Sequence, residues 1–289
     1  MIYYNPKLWF SFIFKVNKAD TLRKLFPLIL SVAFYAGVVT FLLLDVWHLP
    51  ETSILKKVIF VHQTIGFVFS LLLAFRINSA YDRWWEGRKM WGSLTNNSRN
   101  LAIKLKHLVD DDSIAFFNYA IPLYARALKN FLRGIYKIEE QNFITIAPSK
   151  HVPNQVASAI IKEVYRLNKA GQINPEQLVS ITAEITSFTD ICGACERIKN
   201  TPIPFSYSVF IKKFIFTYIV TLPFTWAFEL KYFIMPIIGF ILFVFASIEL
   251  IAEEIEDPFG TDANDLPLDN ICANIEKHVG EIFGEDTHA

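Results

Sequence analysis

The sequence predicts an all-α membrane protein with four transmembrane helices and a cytosolic helical region. Three observations lead to it. Four apolar runs stand out, at Leu25–Leu44, Val58–Phe75, Phe205–Phe228 and Phe233–Ile251. The composition is 53% hydrophobic with 27 Phe and a mean hydropathy of +0.31, more apolar than a soluble domain. No stretch alternates convincingly as a β-strand. The formal net charge is zero, so bulk charge points to no nucleic-acid partner, and three cysteines give no disulfide framework.

Taken in order, the chain divides into an N-terminal interfacial arm (1–24), transmembrane helices one and two (25–75), a cytosolic helical region (76–204), transmembrane helices three and four (205–251), and a cytosolic acidic turn with a C-terminal helix (252–289). The arm mixes Tyr3, Tyr4, Trp9, Phe10, Phe12 and Phe14 with Lys7, Lys15 and Lys18. That suits a membrane interface, or equally a packed arm. It lacks the pattern of a cleaved signal peptide, so the first apolar run is expected in the mature protein. That run is charge-free, with Pro27 expected in its first turn, where a missing N–H costs little. Asp45–Lys57 reads as a short loop. Lys and Arg flank the first two spans on the N-terminal side and after Phe75, which places both flanks, and hence both termini, in the cytoplasm.

The second span carries the main signal. Val58–Phe75 has no charged residue, and as a helix it extends about 27 Å, close to a bilayer's hydrocarbon thickness. Phe67, Leu71 and Phe75 recur every four residues with Thr64 one turn earlier, so they share one face. A lone span needs no special face in lipid; the stripe therefore faces protein or a pore. With no strong breaker before Gly87, the helix is expected to leave the membrane unbroken, carrying Leu101, Leu105, Leu108 and Val109 on an apolar face.

Ser113 is expected to cap a helix reaching about Glu139 and kinked at Pro122, and Asn154 to cap another that ends at Gly171. Asn174-Pro175-Glu176 is a helix start, with cap, proline and first-turn acid. The third span is interrupted by Lys212 and Lys213, leaving Phe214–Phe228 as its core, bent at Pro223. After the fourth span, Pro258-Phe259-Gly260 breaks the chain. Leu268, Ile271, Cys272, Ile275, Val279 and Ile282 then form one face of a last helix.

Cys192-Gly193-Ala194-Cys195 is a lone CxxC inside a helix, with no neighbouring His in sequence, and reads as small residues at a helix contact. His62 and Gln63 are polar within the second span, as functional groups or as interfacial hydrogen bonds. The acids Glu253, Glu254, Glu256, Asp257, Asp262 and Asp265 either latch onto Arg83, Arg88 or another basic residue, or bind a hard cation. The calcium candidates are Asp257, Asp262 and Asp265, although the set is incomplete and no metal is expected. No triad, phosphate loop or HExxH is present, so an enzyme is poorly supported and no cofactor is implied.

Three segments, Phe75–Ala102 (FRINSAYDRWWEGRKMWGSLTNNSRNLA), Cys195–Tyr207 (CERIKNTPIPFSY) and Ala252–Asp269 (AEEIEDPFGTDANDLPLD), together resemble the bestrophin family in its bacterial branch. The resemblance implies a homopentameric ion channel around a central pore, whose partners are its own copies, small permeant ions and the lipid bilayer of the bacterial inner membrane. Its register places the pore neck at Phe67, Leu71 and Phe75, the first of these a match of register rather than residue. Five copies of each would form hydrophobic rings that gate by dewetting. An ungapped count places the cytosolic aperture, commonly apolar in the family, at Glu176, where a carboxylate ring would favour cations. Glu176 also serves as a first-turn acid. Bacterial members conduct cations; eukaryotic members are calcium-activated anion channels. Here Ala263 and Asn264 dilute the calcium cluster. The expectation is a cation channel. Its alternatives are an anion (chloride) channel of the same fold, a membrane-anchored scaffold, and a proton-coupled transporter using His62 and Glu249.

Overall fold

A computed structural model describes residues 21–50, 54–135 and 143–284. The N-terminal arm up to Asp20 lies outside the described residues. The helix expected to reach about Glu139 ends earlier, at Leu132, where Arg133 closes it and Gly134 turns the chain at φ +72°. The described chain is helical, and no strand occurs among the described residues. The long helices are α1 (Thr21–Phe41), α3 (Ile59–Lys106), α4 (Asp111–Leu132), α5 (Val152–Lys169), α6 (Pro175–Asn200), α7 (Phe205–Leu230), α8 (Ile234–Glu256) and α9 (Leu268–Phe283). A short α2 (Ile54–Lys57) precedes α3, so the expected Asp45–Lys57 loop is partly helical. A π-turn at Leu42–Val46 also extends the end of α1 into it.

The described helices build two large cores and a small cluster of Val39, Leu43 and Ala227. In the first, Ala36 of α1, Phe69 and Leu73 of α3, Ile211, Ile215, Ile219 and Leu222 of α7, and Ile234, Ile238 and Leu242 of α8 are buried together. Phe69 stacks on Phe214 and meets Phe245 edge-on. Gly66 permits the close α3–α7 approach, since a Cβ there would lie 2.5 Å from the Tyr218 hydroxyl. In the second core, α4, α5, α6 and α9 surround the lower part of α3, with Trp91, Leu94, Leu101, Leu105, Tyr124 and Phe188 fully buried. Among the described residues, helix α3 is the one element with buried residues in both. At 48 residues it is about 72 Å long, twice what a bilayer needs.

Among the described residues, four stretches are long and apolar enough to cross a membrane by length and composition: Thr21–Val46, Ile54–Lys106, Pro175–Asn200 and Phe205–Glu256. The last holds two helices, α7 and α8, joined by a 3-10 turn at Lys231–Phe233. The apolar face of α6, with Ile181, Ile185, Phe188, Ile191 and Ile198, is buried in the second core. The spans are therefore α1, the first half of α3, α7 and α8.

Several local expectations hold. Asn174 accepts a hydrogen bond from the Gln177 N–H while the Gln177 side chain accepts from the Asn174 N–H, a reciprocal cap. Gly171 follows α5 at φ +77°, and Pro258–Gly260 ends α8. Others need correction. Asp110, not Ser113, caps α4: its carboxylate accepts from the Ser113 N–H. Gln172 and Ser113 hold the Asp110 carboxyl down at about 2. His151, not Asn154, caps α5, its Nδ1 accepting from the Asn154 N–H. Pro27 lies inside α1 rather than in its first turn, because the helix already runs at Thr21. A membrane-spanning helix tolerates such a proline when neighbouring groups satisfy the freed carbonyl.

The two cores meet at a buried ion network. Arg76, fully buried and one residue after Phe75, donates Nε to Glu249 (3.3 Å) and Nη2 to Glu256 (2.8 Å). Glu256 also accepts from the Ile203 N–H at 2.7 Å. Breaking a buried ion pair from one side strands the other charge. Arg76→Met should therefore lower stability by about 3 kcal/mol, and Arg76→Met with Glu249→Met by less. Denaturant unfolding of the detergent-solubilised protein checks this.

Candidate functional site

Helix α3 has two unlike faces. Phe69, Leu73, Arg76, Ala80 and Gly87 point into the protein. Phe67, Leu71 and Phe75 point away from it and remain 68%, 48% and 64% exposed in the single chain. The same helical line continues downward through Asn78, Asp82, Trp85 and Lys89, all exposed. The chain thus presents a phenylalanine–leucine–phenylalanine strip and, directly beneath it, a polar and charged strip.

Helix α6 runs antiparallel to the lower half of α3. Arg83 donates to the carbonyls of Ile198 and Thr201 near the end of α6. Further down, Asn97 meets Ser187, and Lys104 meets the Ser180 carbonyl and Glu184. This register sets the start of α6 beside the end of α3, about 45 Å along the axis from Phe75. Glu176 lies there, exposed, in the first turn of α6. Its carboxylate makes no hydrogen bond or ion pair among the described residues, while the backbone cap is supplied by Asn174 and Gln177.

The acidic turn is a latch. Glu256 holds Arg76, Asp257 pairs with Lys199 (3.1 Å), Glu253 with Lys212, and Glu254 with Lys24. Arg83, proposed above as a carboxylate partner, instead donates to backbone carbonyls, including that of Glu256 at 3.0 Å. Arg88 makes no ion pair among the described residues. Asp265 is buried, with one oxygen accepting from the Asp262 N–H at 2.6 Å and the other without a partner. Burial pushes its carboxyl up to about 6. Asp257, Asp262 and Asp265 do not form a converging ligand group; among the described residues that distinction belongs to His151, Cys192 and Glu196.

The transporter pair is not assembled. His62 Nε2 lies 2.9 Å from the Thr221 hydroxyl, whereas Glu249 is engaged by Arg76, fourteen residues and about 21 Å further along α3. The three cysteines are free and buried, and burial pushes Cys192 and Cys272 up to about 12, so they are inert thiols as they stand. Two features escaped the sequence. One is Arg76, which no pattern distinguishes from the other basic residues after the span. The other is the approach of His151 to Cys192 across forty-one residues of chain.

Comparison with known proteins places this geometry. A family model described as Bacterial/Fungal Bestrophin protein matches residues 1–281. The chain belongs to this family. It is 33% identical over 291 residues to the voltage-dependent anion channel-forming protein alr2987 of Nostoc sp., covering 96% of this chain and 92% of that one. It is 31% identical over 220 residues to the voltage-dependent anion channel-forming protein YneE of Escherichia coli strain K12, covering 73% and 72%. A crystal structure of a mutant bacterial bestrophin homologue from Klebsiella pneumoniae superposes with a TM-score of 0.79 at 23% identity, over 90% of this chain and 100% of that chain. The helical architecture is therefore the bestrophin fold.

The raised Asp265 carboxyl sets a pH dependence. Its folded-state value exceeds its unfolded one, so the stabilisation from the protonated form is present below about pH 4 and is lost as the pH rises through about 6. Asp265→Asn should flatten the fall in melting temperature between pH 4 and 6.5. A profile with the wild-type slope would show that Asp265 ionises freely.

Proposed function

We propose that this bestrophin chain is one subunit of a homopentameric, passive ion channel in the bacterial cell membrane, with both termini cytoplasmic. The observation that carries the proposal is the outward-facing strip of Phe67, Leu71 and Phe75 on the helix that joins the two cores. Around a five-fold axis these residues become three stacked apolar rings, a constriction that gates by dewetting. A membrane-facing role would not require the strip to continue into Asn78, Asp82 and Lys89 on the same line. Such a line suits the wall of a wetted vestibule below a dry neck. The lysine and arginine bias supports the assigned orientation.

Selectivity has two readings. The cation reading rests on Glu176, whose free carboxylate stands at the far end of the axis; five of them would draw cations and repel anions at the exit. The anion reading rests on the relatives, which are named anion channel-forming proteins. Reversal potentials in planar bilayers under a salt gradient separate them. A cation-side reversal that moves towards zero in Glu176→Gln supports the first reading and places Glu176 in the ion path. A cation-side reversal unmoved by the substitution returns Glu176 to a helix-capping acid. An anion-side reversal in wild type establishes the second reading.

Replacing Phe67, Leu71 and Phe75 together with Ala widens and wets the neck. Single-channel conductance or open probability should rise several-fold, and unchanged currents would remove the strip from the gate.

A further inference from the structure

His151, Cys192 and Glu196 lie apart from the pore strip and from the acidic turn, and they present three different ligand atoms to one point. His151 precedes the first turn of α5. Cys192 and Glu196 stand one turn apart on the same face of α6. His151 Nε2 is 3.0 Å from Glu196 Oε1, and the nitrogen, sulfur and carboxylate oxygen all fall within 4.8 Å of one another. Tetrahedral zinc, with bonds of about 2.0–2.3 Å, sets its ligands roughly 3.3–3.8 Å apart. Small side-chain adjustments therefore close the group on an ion. The two helices already pack against each other, so no backbone rearrangement is needed.

Access is built in as well. His151 lines a solvent-open cleft of about 890 Å³ with Lys150, Asn154 and Gln155, between the segment 143–150 and α5. Cys192 and Glu196 do not line that cleft, but the His151 and Glu196 side chains are 28% and 32% exposed, so an ion reaches the group from solvent and a water completes four-coordination.

We propose that His151, Cys192 and Glu196 bind a zinc-class divalent cation that staples the start of α5 to α6. An imidazole, a thiolate and a carboxylate form a mixed nitrogen, sulfur and oxygen set. Calcium and magnesium take oxygen ligands, whereas zinc takes all three types. The thiolate and carboxylate together neutralise the ion. The protons balance as follows. Without metal, Nδ1 accepts from the Asn154 N–H, so Nε2 carries the ring proton and donates it to Glu196. On binding, the ion takes Nε2, the ring proton moves to Nδ1, and the Cys192 thiol proton leaves to solvent. One proton is released per ion, and the weak 3.2 Å cap on Asn154 is given up for the metal bond.

None of the three residues belongs to the proposed neck or aperture, and the test does not depend on channel activity. The full-length protein, purified in detergent and stripped with chelator, is titrated with Co²⁺ and then with competing Zn²⁺. One Co²⁺ per chain is expected, with a thiolate-to-cobalt charge-transfer band and the visible bands of a tetrahedral ion, both displaced by Zn²⁺. Cys192→Ser should abolish the charge-transfer band, while Cys272→Ser, a buried thiol elsewhere, should leave it intact. Glu196→Gln, at a half-buried position, should weaken binding about tenfold or more. Absence of the band in wild type overturns the proposal, as does a band that survives in folded Cys192→Ser. Unchanged affinity in Glu196→Gln overturns it even if the cysteine variant fails to fold, and leaves the trio as a hydrogen-bonded helix cap beside an inert thiol.

Discussion

The architecture depends on one buried cation. Arg76 sits fully inside the protein at the level where the apolar stretch of α3 ends. Removing a guanidinium from water costs several kcal/mol, and only close anionic partners offset it. Those partners come from α8, through Glu249 and Glu256. Glu256 in turn holds the backbone at Ile203, and its own carbonyl receives Arg83. A single charged side chain therefore fixes the depth of α8 against α3 and ties both to the linker that enters α7. The PFG turn closes over the same region. A Cβ at Gly87 would lie 3.1 Å from both Pro258 and Phe259, so the turn packs directly on α3.

Below that knot, electrostatics and apolar packing divide the work. The second core is conventional, with large aromatic and aliphatic side chains fully buried among five helices. Its rim is charged: Arg126 with Glu276, and Lys129 and Arg133 with Asp269. Those two cations hold the Asp269 carboxyl below the usual range. Rim pairs with one exposed partner stabilise little individually. Their value is in orienting α9 so that Leu268, Cys272, Ile275 and Val279 face inward. The Arg76 network differs in kind, because Arg76 and Glu249 are almost wholly removed from solvent and Glu256 is mostly so.

What the sequence disclosed follows from the range of the forces involved. Apolar length, helical periodicity and local capping chemistry act over a few residues. The four spans, the Asn174-Pro175 start and the Gly171 stop were legible for that reason. The unbroken passage of α3 through Gly87 was legible as well, though the purpose of the glycine, making room for Phe259, was not. Caps were misassigned where two polar residues three apart compete: Asp110 outcompetes Ser113 because a carboxylate accepts more strongly from the helix N-terminus. His151 was unexpected as a cap, since a histidine side chain is not a usual one. Side chains that meet across the fold left no local trace. The CxxC motif joins Cys192 to Cys195, yet the structure brings Cys192 close to a histidine and a glutamate instead. Of the residues proposed for permeation, the Phe67, Leu71 and Phe75 strip is a periodicity and could be read directly. Glu176 required a register carried over from the bestrophin resemblance.

The length of α3 has a mechanical consequence. One continuous helix of about 72 Å, held near its middle by Arg76 and Gly87, is a lever with its fulcrum at the membrane surface. A tilt of about 3° around that point moves each end by roughly 2 Å, in opposite directions. A change of contacts around Lys104 or the start of α6 would thus be felt by the upper arm, which carries Phe67, Leu71 and Phe75, without any hinge between them. If the strip is the proposed gate, the cytosolic end of the helix and the gate are two ends of the same rod.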